Sequence, residues 1–203
     1  MTPRQTGNVD VSGLPSVVFG QRALLWWGTL GFALIEGFSL VLTIASYLYL
    51  RQNEFDWPPG RTPNPDLLIP TVNTVLLLAM IVPMHAVDRA AKAFDGRGVR
   101  RNFAIATVMG AVVMTLRWWE LLALNVRWDT HAYGSAAWAV VLMHSTLVIV
   151  DVFESATFCA IFRHGTAERK HYPDASDAAG YQYFLSLAWI PVYVVVFWLP
   201  RIL

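Results

Sequence analysis

Five apolar stretches, each long enough to cross a bilayer as a helix, constrain this chain more than any other feature. A hydrocarbon core about 30 Å thick takes roughly 20 residues at helical rise. Backbone polar groups in lipid must be satisfied within one helix or around a closed barrel. The stretches are 24–50, 67–87, 102–126, 132–162 and 181–200. None alternates with period two, which argues against membrane β-strands. The sequence therefore predicts an all-α membrane protein: a bundle of five transmembrane helices over 23–203, behind a polar tail over 1–22. Only 14% of residues are charged, where a soluble domain carries about a quarter. Mean hydropathy is +0.45. The tail, with Pro3 and Pro15, leads into no cleavage site and is not read as a secretory signal.

The connections carry loop chemistry. Residues 56–70 contain five prolines, too many for a regular helix. Residues 88–101 and 163–177 are rich in charge and read as loops. Their basic residues set the expected orientation. With the N-terminus inside, the inner segments carry Arg4, Arg22, Arg89, Lys92, Arg97, Arg100, Arg101, Arg163, Arg169 and Lys170. The outer segments carry only Arg51, Arg61, Arg127 and Arg201. Basic residues accumulate on the cytoplasmic side, so the expectation is N-terminus inside, C-terminus outside. Topology is reason enough for the basic loops, and no nucleic-acid partner is implied.

Ionisable groups inside spans are costly and therefore informative. Glu36 lies near the centre of the first stretch. Its carboxyl is either a proton-accessible or lipid-facing group in a cleft, or a neutral acid bonded to a neighbouring helix. Arg117 and Glu120, three residues apart, share a helix face and are able to pair. The other reading puts a lipid phosphate on Arg117. His144, Asp151 and Glu154 also share a face. His144 is about 10.5 Å along the helix axis from Asp151, so the two cannot hold one ion from a straight helix. Asp151 and Glu154 are read as a polar seam between helices; with a ligand from another helix they become a divalent-ion site. Pro83 and Pro191 are the candidates for breaks inside spans.

Several chemistries are disfavoured. Cys159 is the single cysteine, so an intrachain disulfide or a multi-cysteine metal centre is excluded. Of five histidines, only His144 is central to a stretch, too few for an intramembrane haem site. Phosphate-loop, dinucleotide-binding and nucleophile-elbow motifs are missing. No catalytic residue and no metal ligand is assigned.

The order of short motifs resembles the subunit III family of cytochrome c oxidase and other haem–copper oxidases. Trp27-Gly28, Glu36 and Ala45-Ser46-Tyr47-Leu48-Tyr49-Leu50-Arg51 come first, then Trp57-Pro58-Pro59-Gly60 and Pro70-x-x-Asn73-Thr74-x-Leu76-Leu77. Glu120, Tyr133-Gly134-Ser135, His144 and Tyr181-x-Tyr183-Phe184-x-x-x-x-Trp189 follow. The resemblance covers 27–193. Departures mark a divergent member: Leu147 and Tyr183 stand where the family has histidine, Asp151 where it has glycine, Ser186 where it has aspartate, and Arg117 where it has glutamine. Five spans rather than seven resemble short bacterial members that lack the first two helices. The resemblance implies a non-catalytic, haem-free and copper-free subunit beside subunit I, together with subunit II, in the bacterial inner membrane. Haem and copper would then reside in partner subunits, and phospholipid in a cleft. It further implies support of proton uptake, with Glu36, Arg117, Glu120 and His144 as the lipid- or proton-related residues. Two other readings stay open: an accessory subunit of a nitric oxide reductase, and a small transporter or metal-handling membrane protein using Glu120, Asp151 and Glu154.

Overall fold

The computed structural model describes Pro15 and residues 17–202. Most of the 1–22 tail, including Arg4, lies outside the described residues. The described part ends in a 3-10 turn, Gly20–Arg22, and the Phe19 ring meets Phe94 edge-on at 5.8 Å.

Seven α-helices follow: α1 Leu24–Gln52, α2 Leu68–Ala79, α3 Ile81–Lys92, α4 Gly96–Leu122, α5 Ala132–Arg163, α6 His171–Tyr193 and a short α7 Leu199–Ile202. Together α2 and α3 form one crossing, as do α6 and α7. The result is five helices of 25 to 32 residues, each long and apolar enough to cross a membrane. The helices outrun the apolar stretches that mark them. The segments 88–101 and 163–177, expected as loops, are largely helical: α3 runs through Lys92, α4 restarts at Gly96, and α6 begins at His171. At the other end of α4 the helix stops at Leu122, short of residue 126. Hydropathy registers where lipid would be, while helix ends follow caps and hydrogen bonds, so charged turns continue a helix past its apolar part.

Both interior prolines coincide with irregular backbone. A proline removes the donor for the carbonyl four residues earlier. The second crossing breaks at Met80, three residues before Pro83, where the Met80 amide is shared between the Leu76 and Leu77 carbonyls at 3.2 Å each. A π-turn over Val194–Trp198 follows Pro191.

Helix α4 packs between the α2–α3 crossing and α5, and α6 touches α1, α2, α3 and α5. Helix α1 packs chiefly on α5 and α6. It buries Glu36, Leu40 and Tyr47, and the 4- and 7-residue steps between them keep all three on one face. Much of the rest of α1 is exposed apolar surface, including Phe32, Ile35, Phe38 and Leu42, suited to lipid or another membrane protein. Two main apolar cores stack along the bundle. One is built on Leu40, Tyr47, Leu77, Val113, Val141 and Trp189. The other, near the basic helix ends, is built on Met84, Val99, Phe103, Phe162 and Ala179.

The Tyr133-Gly134-Ser135 motif is explained by the start of α5. His131 caps the helix, its Nδ1 accepting from the Gly134 amide at 3.2 Å. Ser135 Oγ donates to the Trp128 carbonyl at 2.6 Å. The Tyr133 ring packs on Trp57 at 5.1 Å between centroids. A Cβ at position 134 would run into the Arg127 carbonyl and Val126. Because a backbone oxygen cannot swing aside, Gly134→Ala is expected to cost about 1–3 kcal/mol as overpacking, seen as a lowered unfolding midpoint in detergent.

Candidate functional site: a buried polar centre and an apolar cleft

Arg117 and Glu120 lie on the face of α4 that turns into the bundle, 2% and 0% exposed. Arg117 Nη1 donates to Glu120 Oε2 at 2.8 Å. The same carboxylate oxygen accepts from Asn73 Nδ2 on α2 at 2.6 Å. The Arg117 guanidinium lies over the Trp189 ring of α6, 3.9 Å from its centroid, a cation–π contact that gains strength when dry. Trp189 Nε1 in turn donates to Thr74 Oγ1 on α2 at 2.7 Å.

His144 joins this centre from α5, with no solvent exposure. Its Nε2 lies 3.0 Å from the Leu185 carbonyl. A carbonyl only accepts, so Nε2 carries the proton. Nδ1, 3.4 Å from Arg117 Nη2, is then the acceptor, and the ring is neutral. The histidine thereby bridges α4 to α6 without adding charge. Four helices meet through this one ion pair.

The remaining acids go elsewhere. Asp151, 1% exposed, faces Gln182 of α6. With its amide nitrogen turned to that carboxylate, Gln182 presents its oxygen to Ser186 Oγ at 3.0 Å, the orientation that satisfies both neighbours. The single Ser186 hydroxyl proton is then contested by the Leu77 carbonyl, 3.1 Å away. Glu154, one turn along, is half-buried. Glu36 is separate again: its Oε2 accepts from the Tyr181 hydroxyl, tying α1 to α6. The structure thus brings Arg117, Glu120 and His144 together and keeps Glu36, Asp151 and Glu154 apart from them. Among the described residues no three His, Cys, Asp or Glu side chains converge as metal ligands. Glu120 Oε2 serves both Arg117 and Asn73, Glu120 Oε1 meets no donor among the described residues, and Asp151 faces Gln182.

Sequence reading overlooked the partners. Asn73, Thr74, Tyr181 and Trp189 were visible as motif letters, and each proves to be a hydrogen-bonding partner of the polar system. Ser186 was visible only as a departure from the family motif, and Gln182 carried no signal beyond being polar within an apolar helix.

Between α1 and α6 lies a cleft of about 740 Å³. Trp26, Leu30, Leu34, Phe38, Val41 and Phe184 give it an apolar wall, and Asp88, Lys92 and Asp177 line it as well. Tyr181, the partner of Glu36, also borders it.

Similar proteins carry one consistent description. Cytochrome c oxidase subunit 3 of Thermostichus vulcanus is 27% identical over 175 residues, 86% of this chain and 87% of that protein. Its counterpart from Synechocystis is 24% identical over 88% of this chain and 77% of its own length. Over most of its length the chain is a distant relative of cytochrome c oxidase subunit 3. The sea-urchin subunit 3 of Paracentrotus lividus is 26% identical over 70% of this chain but only 55% of its own length, so the shared part of that longer relative is about half of it. The chain matches no protein-family profile.

Proposed function

We propose that this chain is the non-catalytic subunit III of a haem–copper respiratory oxidase. It packs beside subunit I, together with subunit II, and carries neither haem nor copper itself. It resides in a bacterial cytoplasmic membrane with its N-terminus inside. Its role is to stabilise the catalytic subunit, to hold phospholipid in the α1–α6 cleft, and to support proton uptake during aerobic electron transport. The observation that carries this reading is the alignment with subunit 3 of Thermostichus vulcanus over 86% of this chain and 87% of that protein. Two features of the site accord with it. The ionisable side chains of the buried centre pair with one another and with neighbours on four helices, which suits a scaffold. The exposed surface of α1 is largely apolar and suits a membrane neighbour.

Affinity purification of the tagged full chain in mild detergent tests the proposal. A haem-bearing polypeptide much larger than this chain is expected to travel with it in fixed stoichiometry, with an oxidase spectrum. Purification without any haem protein would sink the reading, and a nitric-oxide-reducing partner would replace the oxidase with the alternative complex. Orientation is tested separately by cysteine labelling from each side of the membrane. Single cysteines at Arg97 and Arg169 are expected to react only from the cytoplasmic side, and one at Arg61 only from the opposite side.

A further inference from the structure

We infer that Asp151 is a proton-binding site. In the folded protein it is a neutral carboxylic acid, the donor end of a one-way hydrogen-bond chain through Gln182 and Ser186 to the Leu77 carbonyl. The three side chains are 1%, 1% and 0% exposed, so their hydrogens must find acceptors within the bundle. The chain joins α5 to α6 and α6 to α2.

The hydrogens available decide the protonation. An ionised Asp151 offers only acceptors. It draws the nitrogen of the Gln182 amide, which leaves the amide oxygen toward Ser186 Oγ at 3.0 Å. The one Ser186 hydroxyl proton then has two claimants, that oxygen and the Leu77 carbonyl at 3.1 Å. A proton on Asp151 removes the conflict. The acid donates to the Gln182 oxygen, the Gln182 nitrogen donates to Ser186 Oγ at 3.0 Å, and the Ser186 hydroxyl donates to the Leu77 carbonyl. Each link then has one donor and one acceptor. The Leu77 carbonyl gains from that donor, because the Met80 amide beside it is shared with the Leu76 carbonyl.

Charge points the same way. Asp151 joins none of the ion pairs among the described residues. The buried cation Arg117 is engaged with Glu120 at 2.8 Å, beside His144, which lies about 10.5 Å along α5 from Asp151. The titratable groups around Asp151 are Glu154 on its own helix, Tyr181 on α6 and, beyond Tyr181, Glu36 on α1. None of them is a cation. An unpaired carboxylate buried among them is costly, whereas the second oxygen of a neutral acid is only a carbonyl, far cheaper to bury. A carboxylic acid in such surroundings keeps its proton and serves as a donor.

The test is infrared spectroscopy at neutral pH on the full chain with whatever subunits accompany it, prepared with carbon-13 in the side-chain carboxyl of aspartate. A neutral carboxylic acid shows a carbonyl stretch well separated from the carboxylate bands. The expected result is such a band that shifts with the aspartate label and is lost in Asp151→Asn. Ser186→Ala should move it to higher frequency, because the chain no longer polarises the Gln182 acceptor. No label-sensitive band of a neutral acid, or one unchanged in Asp151→Asn, overturns the inference. A band unmoved by Ser186→Ala overturns the chain through Gln182. A partner subunit's lysine or arginine crosslinked to Asp151 overturns the neutral acid. Should Asp151→Asn fail to assemble, Asp151→Glu decides: the band should leave the aspartate label and follow a glutamate label, and a band still carried by aspartate overturns the assignment.

Discussion

Replacing Glu120 with alanine is expected to lower stability by about 3–5 kcal/mol, the cost of leaving one member of a buried ion pair uncompensated. Arg117 is 2% exposed and has the Glu120 carboxylate as its direct anionic partner at 2.8 Å. Without it the guanidinium keeps only the Trp189 face and the neutral His144 ring. Asn73 loses the acceptor of its 2.6 Å hydrogen bond in the same step. The double replacement Arg117→Met with Glu120→Met should recover most of the loss, because an apolar pair of similar volume avoids the desolvation of two charges. Thermal unfolding of the wild type, Arg117→Met, Glu120→Met and the double variant in one detergent closes the cycle. A Glu120→Ala protein with the wild-type midpoint would show that Arg117 is not buried against that carboxylate.

The second large effect belongs to Trp189. It is fully buried, and it links three parts of the centre: its ring carries Arg117 at 3.9 Å, faces His144 at 4.9 Å, and its Nε1 holds Thr74 at 2.7 Å. Trp189→Ala removes the largest buried side chain of α6 and opens a cavity, for which about 3–5 kcal/mol is the expected loss. Trp189→Phe keeps an aromatic face for the guanidinium but drops the bond to Thr74, so it should cost distinctly less. If the two variants unfold at the same temperature, ring volume and the cation–π contact contribute little and the hydrogen bond dominates. Combining Trp189→Ala with Arg117→Met should be less costly than the sum of the two singles, since both act on one contact.

The comparison of Glu36 with Arg117 shows how far a linear reading reaches. Both are ionisable groups inside apolar stretches, and a hydropathy argument treats them alike. The sequence could place Glu120 within reach of Arg117, because helical spacing is local. It could not assign Tyr181 to Glu36, 145 positions away, nor Asn73 to Glu120, 47 positions away. The second and fifth crossings make the same point for backbone. Pro83 and Pro191 were visible as breakers, but a break at Met80 and a π-turn at Val194–Trp198 depend on how neighbouring helices take up the freed carbonyls.

By itself the sequence determined that this chain forms five long apolar helices, because burial in lipid is set residue by residue and sums along the chain. It also determined which side chains must find shelter, since each charge in a span carries its own cost. Only the tertiary structure decided who shelters whom. Arg117 goes to Glu120 and Trp189, Asp151 to Gln182, and Glu36 to Tyr181, because such pairings depend on which faces meet across the bundle, a non-local property that composition and periodicity do not encode.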